Sequence, residues 1–140
     1  FAGYQAGYSN TTGTPNTFIG YQSGFSNTTG NTNTAIGYKV GDNITTGSHN
    51  LLLGHDIDAP STTANNQMSI GNIIYGTGID GVGTTVSTGN IGIGKTNPGS
   101  KLAVVGLPIF ADNTAATTGA GTLTAGDFYR TAAGVVMVAY

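Results

Sequence analysis

The stretch FIGYQSGFSNTTGNTNT, residues 18–34, decides the fold because the chain repeats it. The unit before it, FAGYQAGYSNTTGTPNT (1–17), matches at most positions, and AIGYKVGDNITTGSHNL (35–51) continues the pattern. A fourth unit, LLGHDIDAPSTTANNQM (52–68), keeps it in part, and a fifth begins as SIG at Ser69. Self-similarity at a fixed period is the signature of a stacked repeat architecture. Each unit therefore predicts one structural coil.

Glycine, threonine and asparagine follow the period most strictly. Five glycines, which we designate the structural repeat glycines, occupy the third position of successive units: Gly3, Gly20, Gly37, Gly54 and Gly71. A Thr-Thr pair recurs at 11–12, 28–29, 45–46 and 62–63. Asn16, Asn33 and Asn50 mark the sixteenth position, with Gln67 in the fourth unit. The order is regular through three units and decays in the fourth.

The length of the unit selects the kind of coil. A helical repeat needs about 33 residues or more, whereas a shorter unit suits one coil of a parallel β-roll or β-solenoid with two short strands and two turns. TFIGY, residues 17–21, has the β-branched and aromatic residues typical of strands. The SNTTG stretches have the chemistry of turns. The sequence therefore predicts an all-β fold.

Stacked coils would align equivalent side chains in columns with steps of about 4.8 Å. One column holds Tyr4, Tyr21 and Tyr38 and closes with His55; another begins at Ala2 and continues with Ile19, Ile36, Leu53 and Ile70. We predict that both columns pack in the core. An aromatic ligand platform is the alternative interpretation of the tyrosines.

Composition excludes several classes of protein. Gly is abundant (24 residues), charged residues are 7% of the chain, and Cys and Trp are absent. Thr, Gly and Asn are poor helix formers, which argues against a helical bundle or an ordinary α/β enzyme. Four basic residues against six acidic ones form no patch for nucleic acid, and no apolar run is long enough for membrane insertion. Because the chain opens with Phe1 and shows no signal peptide, we expect it to be the mature or truncated part of a longer protein.

A single coil of this size encloses little apolar volume. Ordering the backbone costs about 1–2 kcal/mol per residue, and each unit offers only four or five large apolar side chains. Short solenoids usually need neighbours or caps. We therefore expect chains to associate and share a core as an intertwined homotrimer, although periodicity alone does not give the number three.

The repeat F-I-G-Y-Q-x-G-[YF]-S-N-T-T-G-x-x-N-T resembles the head repeats of trimeric autotransporter adhesins and related repeats of phage fibres. It is similar to a longer version of their N-x-x-x-I-G-x-x-[AS] coil, seen at residues 16–21 and 33–38. The resemblance covers about residues 1–75. It implies a left-handed parallel β-roll with three chains to a stalk.

The period ends after residue 71, so residues 1–71 form the repeat array and the remainder divides in two. Residues 72–106 are Gly-rich and predict a transition segment with short strands. The part from Gly92 to Gly106 resembles the G-[IV]-G-x-x-x-P-x-x-x-L-x-V-x-G segment common in phage tail fibres and large surface repeat proteins. Residues 107–140 predict a small C-terminal β-hairpin cap, with strands at 123–131 and 135–140. Its AGDFYRT stretch resembles the end of several phage structural proteins.

One stretch of the sequence matches the motif of a nucleotide-binding loop. GNIGIGKT, residues 89–96, satisfies the pattern of a phosphate-binding loop, but that loop requires a helix beginning at its Lys. Here Asn97-Pro98-Gly99-Ser100 leads towards a predicted strand. We interpret Lys95 and Thr96 as solvent-facing loop residues.

Other candidate sites have plainer interpretations. Asp56 and Asp58, two apart on one predicted strand face, suit a weak calcium site, but a solvated edge is the preferred interpretation. His49 and His55 lack metal-ligand spacing, and the N-x-T sequons at Asn10, Asn27 and Asn43 are explained by repeated turn chemistry. The Thr pairs suggest ice binding only weakly, because adjacent strand residues point to opposite faces. We predict no catalytic residues, metal or cofactor.

The sequence thus favours a structural role. The leading hypothesis is a phage tail or head fibre of the virion, trimeric and attached to a host-surface receptor, for which glycans are one candidate class. The alternative is a bacterial cell-surface adhesin or extracellular filament subunit. A polysaccharide depolymerase is the least favoured hypothesis.

Overall fold

The computed structural model describes residues 1–107, 128–130 and 136–138. Every regular element in these residues is a β-strand. The strands are β1 (Thr17–Ile19), β2 (Thr34–Ile36), β3 (Leu51–Leu53), β4 (Met68–Ile70), β5 (Ile74–Thr77), β6 (Asn90–Ile93), β7 (Leu102–Val104), β8 (Phe128–Arg130) and β9 (Val136–Val138). The chain divides into two compact units, Phe1–Val105 and Gly106–Tyr140.

The first four strands stack in parallel at the predicted period. Thr17 pairs with Thr34, Thr34 with Leu51, and Leu51 with Met68, so each step advances by one repeat. Ala2 extends the stack by an isolated parallel bridge to Ile19. The predicted all-β solenoid of seventeen-residue coils is confirmed, with about three turns.

Each coil contains one strand of three residues rather than the two predicted. The second predicted strand is replaced by turns, because residues with left-handed backbone bend the chain soon after the first strand. Gln22, for example, has φ of 52°. Neighbouring coils still bond along this part: the amide of Gly7 donates to the carbonyl of Ser23 over 2.9 Å, and that of Thr11 donates to Thr28 over 2.9 Å. Coil-to-coil hydrogen bonding therefore does not depend on extended strand geometry.

The core is narrow and partly polar. The middle residue of each stacked strand points inward, which gives the buried column Phe18, Ala35, Leu52 and Ser69. The other apolar members of the core cluster are Val40, Ile44, Ile57 and Ala59, and the buried polar residues include Ser23, Asn27, Asn33, Asn50 and Gln67. The core of each coil thus combines a few apolar side chains with buried side-chain amides.

Most members of the two columns predicted to fill the core lie on the surface instead, while Leu53 and Ile70 are half-buried. Ile19 and Ile36 are 44% and 38% exposed, and Tyr21 and Tyr38 are 41% and 44% exposed. Side chains alternate along a strand, so with Phe18 facing inward, Ile19 must face outward. The prediction of core packing is wrong for Ile19 and Ile36 for this reason, and it is wrong for Tyr21 and Tyr38 because they lie in the turns after the strands with their side chains exposed.

The parallel stack ends at a reversal of chain direction. After β4, Gly71 begins a tight turn and β5 returns antiparallel, pairing Ile70 with Ile74. β6 pairs antiparallel with β5, and β7 pairs parallel with β6. Residues 72–105 thus add three strands to the edge of the sheet, in the segment predicted as a transition with short strands.

In the second unit, β8 and β9 form an antiparallel pair that joins Tyr129 to Met137. This pairing has the direction expected for the predicted hairpin. The rest of the predicted cap, including the residues that connect its two strands, lies outside the described residues.

Candidate interaction surface

The structural repeat glycines permit the close approach of successive coils. A Cβ built on Gly3 would overlap the carbonyl oxygen of Gly20, and one on Gly20 would overlap that of Gly37. Gly37 faces Gly54 in the same way. A Cβ on Gly54 would instead meet the Ile57 side chain, and Gly71 lies in the turn to β5 with no such contact. Three of the five glycines therefore serve coil contact directly, and the last serves the turn.

A ladder of side-chain amides runs beside the strands. The Oδ1 of Asn16 accepts from the Asn33 amide at 2.8 Å, and the Oδ1 of Asn33 accepts from the Asn50 amide at 3.0 Å. The Nδ2 of Asn33 donates to the carbonyl of Gly47 at 2.8 Å. Gln67 closes the ladder by donating its backbone N–H to Asn50 Oδ1 at 2.8 Å. Each side chain thus supplies a backbone donor and a backbone acceptor with partners.

The tyrosine column is a continuous stack of rings. Ring centroids are 5.4 Å apart between Tyr4 and Tyr21, 5.3 Å between Tyr21 and Tyr38, and 5.0 Å between Tyr38 and His55, with interplanar angles of 9–15°. The faces of the middle rings are therefore covered by their neighbours, and their edges meet the solvent. A ligand platform that uses ring faces, the alternative interpretation of these residues, therefore has no face available at Tyr21 or Tyr38, and Tyr4 keeps one face uncovered.

Exposed aliphatic side chains accompany the rings. Ile19 and Ile36 precede Tyr21 and Tyr38 by two residues, with one repeat glycine between them. We call the exposed columns Ile19–Ile36 and Tyr4–Tyr21–Tyr38 the lateral stripe. It carries no charged residue, and large exposed apolar patches on proteins mark interaction surfaces.

Charge collects in the third and fourth coils. Partial burial and the neighbouring Asp58 carboxylate raise the pKa of Asp42, while Lys39 and its positive charge oppose the shift. Asp56 lies outside any strand with φ of 54°, so the predicted strand face shared by Asp56 and Asp58 is wrong. The described residues contain no group of three or more His, Cys, Asp or Glu placed to hold a metal.

The P-loop-like stretch has the geometry of a strand and an exposed loop. Its residues 90–93 form β6, Lys95 and Thr96 are exposed, and the chain reaches β7 at Leu102 without a helix between them. An open cleft of about 410 Å³ is bounded by Thr96, Asn97 and the turn at Pro60 and Ser61. The cleft has no charged lining residue.

Asp80 and Lys101 organise the loop between β5 and β6. The Thr88 hydroxyl and backbone amide donate to Asp80 at 2.6 and 2.7 Å and lower the pKa of its carboxyl. The ammonium of Lys101 donates to the carbonyls of Thr88 and Gly89 at 2.6 and 2.9 Å. Both charged side chains are thus engaged in holding the loop.

The remaining sequence candidates are used structurally. The Nδ2 atoms of the sequon residues donate to protein acceptors: Asn10 to Gly13, Asn27 to Asn10 and Gly30, and Asn43 to Ala59. The hydroxyls of Thr11, Thr28 and Thr45 donate to the equivalent carbonyl of the next coil. His55 ends the tyrosine stack, and His49 is exposed.

Comparisons of the chain with protein-family models, with curated proteins and with solved structures give no match. No helix in the described part of the chain is long and apolar enough to cross a bilayer.

Proposed function

We propose that this chain is a structural segment of a phage virion fibre, in which homotrimeric β-solenoids form a stiff rod that attaches to a host surface. The role is mechanical and adhesive rather than enzymatic. Stacked coils with backbone and side-chain hydrogen bonds at every step support the rod, and the fibre assignment follows the resemblances of the repeat and of residues 92–106.

The proposed association of chains rests on the exposure of the lateral stripe. A single chain leaves Ile19, Ile36 and three stacked tyrosines in water, while its buried apolar core is limited to a few side chains. Covering apolar surface contributes about 25 cal/mol per Å². A second and third chain packed along the stripe would supply the apolar contacts that one narrow coil lacks.

The stripe also constrains the geometry of the assembly. It runs along the stacking direction, so copies that share it can lie side by side with their coils in step. A cyclic arrangement keeps all chains parallel and closes the assembly. The number three comes from the resemblance to trimeric adhesin heads.

Attachment to the host surface would then result from several weak contacts made at the same time. Three identical chains offer a receptor three weak contacts at once, which raises avidity without a strong individual site. Surface glycans are one candidate class of receptor.

Oligomer mass tests this proposal. Light scattering of the full chain should give three times its mass of 14.0 kDa. Ile36→Lys introduces a charge into the stripe and should yield monomers, whereas Thr46→Lys, at an exposed position outside the stripe, should remain trimeric. A monodisperse wild-type monomer at high concentration would overturn the association.

The alternative function is that of a bacterial cell-surface adhesin or extracellular filament subunit, which the same coil resemblance supports. Antibodies raised against the chain should label virions under the fibre hypothesis and the bacterial surface under the alternative. A depolymerase would release oligosaccharides from host polysaccharide incubated with the purified chain.

A further inference from the structure

The first coil forms one edge of the stack. The hydrogen bonds between the later coils show which backbone groups of this edge would bond to a further coil. At the third position of each later coil, the amide donates to the second position of the coil before it: Gly20 to Ala2, Gly37 to Ile19, Gly54 to Ile36 and Gly71 to Leu53. At the fifth position, Gln22 donates to Tyr4, Lys39 to Tyr21 and Asp56 to Tyr38. Gly3 and Gln5 are the first members of these two columns, so their equivalent partners would belong to an earlier coil.

The same reasoning identifies acceptors on this edge. The carbonyl at the sixth position receives the amide of the seventh position of the preceding coil, as Ser23 does from Gly7 and Val40 from Gly24. The carbonyl at the eleventh position receives the preceding Thr amide, as Thr28 does from Thr11. Ala6 and Thr11 head these columns. The first-coil edge thus presents the amides of Gly3 and Gln5 and the carbonyls of Ala6 and Thr11.

The aromatic columns give an independent indication. Phe1 stacks on Phe18 at 5.1 Å and Tyr4 stacks on Tyr21 at 5.4 Å, so each first-coil ring has one covered face. Tyr4 is 66% exposed against 41% for Tyr21, and Phe1 is 63% exposed whereas Phe18 is fully buried. The outer faces of the first-coil rings are apolar surface of the kind that the preceding coil covers for Phe18 and Tyr21.

From these observations we infer that the first-coil edge is a docking surface for one more seventeen-residue coil of the same repeat, stacked in parallel and in register. The occupant needs an aromatic ring at its first and fourth positions to cover Phe1 and Tyr4. It also needs glycine at its third position, because a Cβ there would overlap the carbonyl of Gly3 as one on Gly3 would overlap that of Gly20. This inference goes beyond the proposed function, since it concerns elongation of one chain's stack and holds for any number of chains.

An extended chain tests the inference. A copy of residues 18–34 is joined directly ahead of Phe1 of the full chain, and amide hydrogen exchange is measured by NMR. We expect the Gly3 and Gln5 amides to exchange about tenfold or more slowly than in the parent chain, within the range of Gly20 and Gln22 in the same molecule.

The matched control carries the same extension with the glycine of its third position, equivalent to Gly20, replaced by alanine. Gly3 and Gln5 should then exchange as fast as in the parent chain. Protection of the Gly37 amide reports in each sample that the host array is folded. Unchanged exchange at Gly3 and Gln5 in the first extension, or equal protection by both extensions, would overturn the inference.

Discussion

At the scale of single residues, the third position of the repeat is constrained twice. Gly20 has φ of 128°, which residues with a side chain rarely adopt, and its missing Cβ leaves room for the carbonyl of Gly37. Glycine is therefore required here by contact between coils and by backbone conformation together.

Gly20→Ala should destabilise the chain by about 3 kcal/mol or prevent folding of the first two coils, because the added Cβ strains the backbone and separates the coils. Thermal denaturation followed by circular dichroism measures the change. Gly99→Ala is the control, since a Cβ on Gly99 meets nothing within 4 Å. Equal melting temperatures for both variants would contradict the role assigned to Gly20.

Asp42 shows how decay of the repeat introduces charge where the first coils have none. Its column contains Tyr8 and Phe25 in the earlier coils, which stack at 5.2 Å. Partial burial and the charge of Asp58 raise its carboxyl pKa, so the folded state holds this proton more tightly than the unfolded chain does.

Stability should consequently fall as the pH rises from the ordinary Asp value of 3.8 through the raised pKa of Asp42, and stay lower above it. Asp42→Asn should remove this loss, making the variant the more stable form at pH 7 by less than about 1 kcal/mol, because the group is only partly buried. Urea denaturation at a series of pH values measures the effect. A wild-type chain that gains stability relative to Asp42→Asn as pH rises would contradict the assignment.

At the scale of elements, side-chain amides hold the coils together in addition to the strands. Each strand has only three residues, and the asparagine ladder continues the bonding beyond them. Asn33 is buried and bonds forward to both Gly47 and Asn50. Its amide provides a donor and an acceptor from one side chain, which no apolar residue can replace.

Asn33→Leu should cost about 2–4 kcal/mol, because it leaves the Asn50 amide and the Gly47 carbonyl buried without these partners. Chemical denaturation measures the free energy of unfolding. Thr29→Leu provides the same new side chain at an exposed position and should change stability by less than about 0.5 kcal/mol. Similar losses in the two variants would show that the ladder contributes little.

At the scale of the first compact unit, the structure repeats in steps of one whole coil. Register between coils repeats every seventeen residues through β1, β2, β3 and β4. Stability in such arrays is approximately a sum of unit and nearest-neighbour contributions. Removal of one whole unit should therefore preserve the architecture.

Deletion of residues 18–34 should give a folded, less stable chain in which Gly37 donates to Ala2 in place of Ile19. Deletion of residues 18–33 should instead offset the first coil by one residue, and a one-residue slip turns side chains to the opposite face. Exchange protection of the Gly37 amide distinguishes the two: it should persist in the first deletion and be lost in the second. Loss of protection in both would contradict coil-by-coil stacking.

How much of this could be predicted from sequence differs between features. Glycine spacing fixes the coil length, and through it the parallel register and the alignment of Tyr4, Tyr21 and Tyr38, because equal chain lengths bring equal positions together. The recurrence of Asn16, Asn33 and Asn50 marked the amide ladder as a periodic feature. The sequence alone, however, did not give the role of these side chains as backbone partners.

Which face of a column meets solvent was decided only by the tertiary structure. Phe18 and Ile19 are both apolar, so the sequence offers no basis for choosing between them, and the inward position of one forces the other outward. The number of strands in a coil was also decided only by the tertiary structure. Gln22 adopts a left-handed backbone conformation although it is not a glycine, so the sequence does not indicate the bend. The sequence by itself determined the period because spacing is a property of the chain; burial depends on how the closed coil orients each side chain, and only the folded molecule determines it.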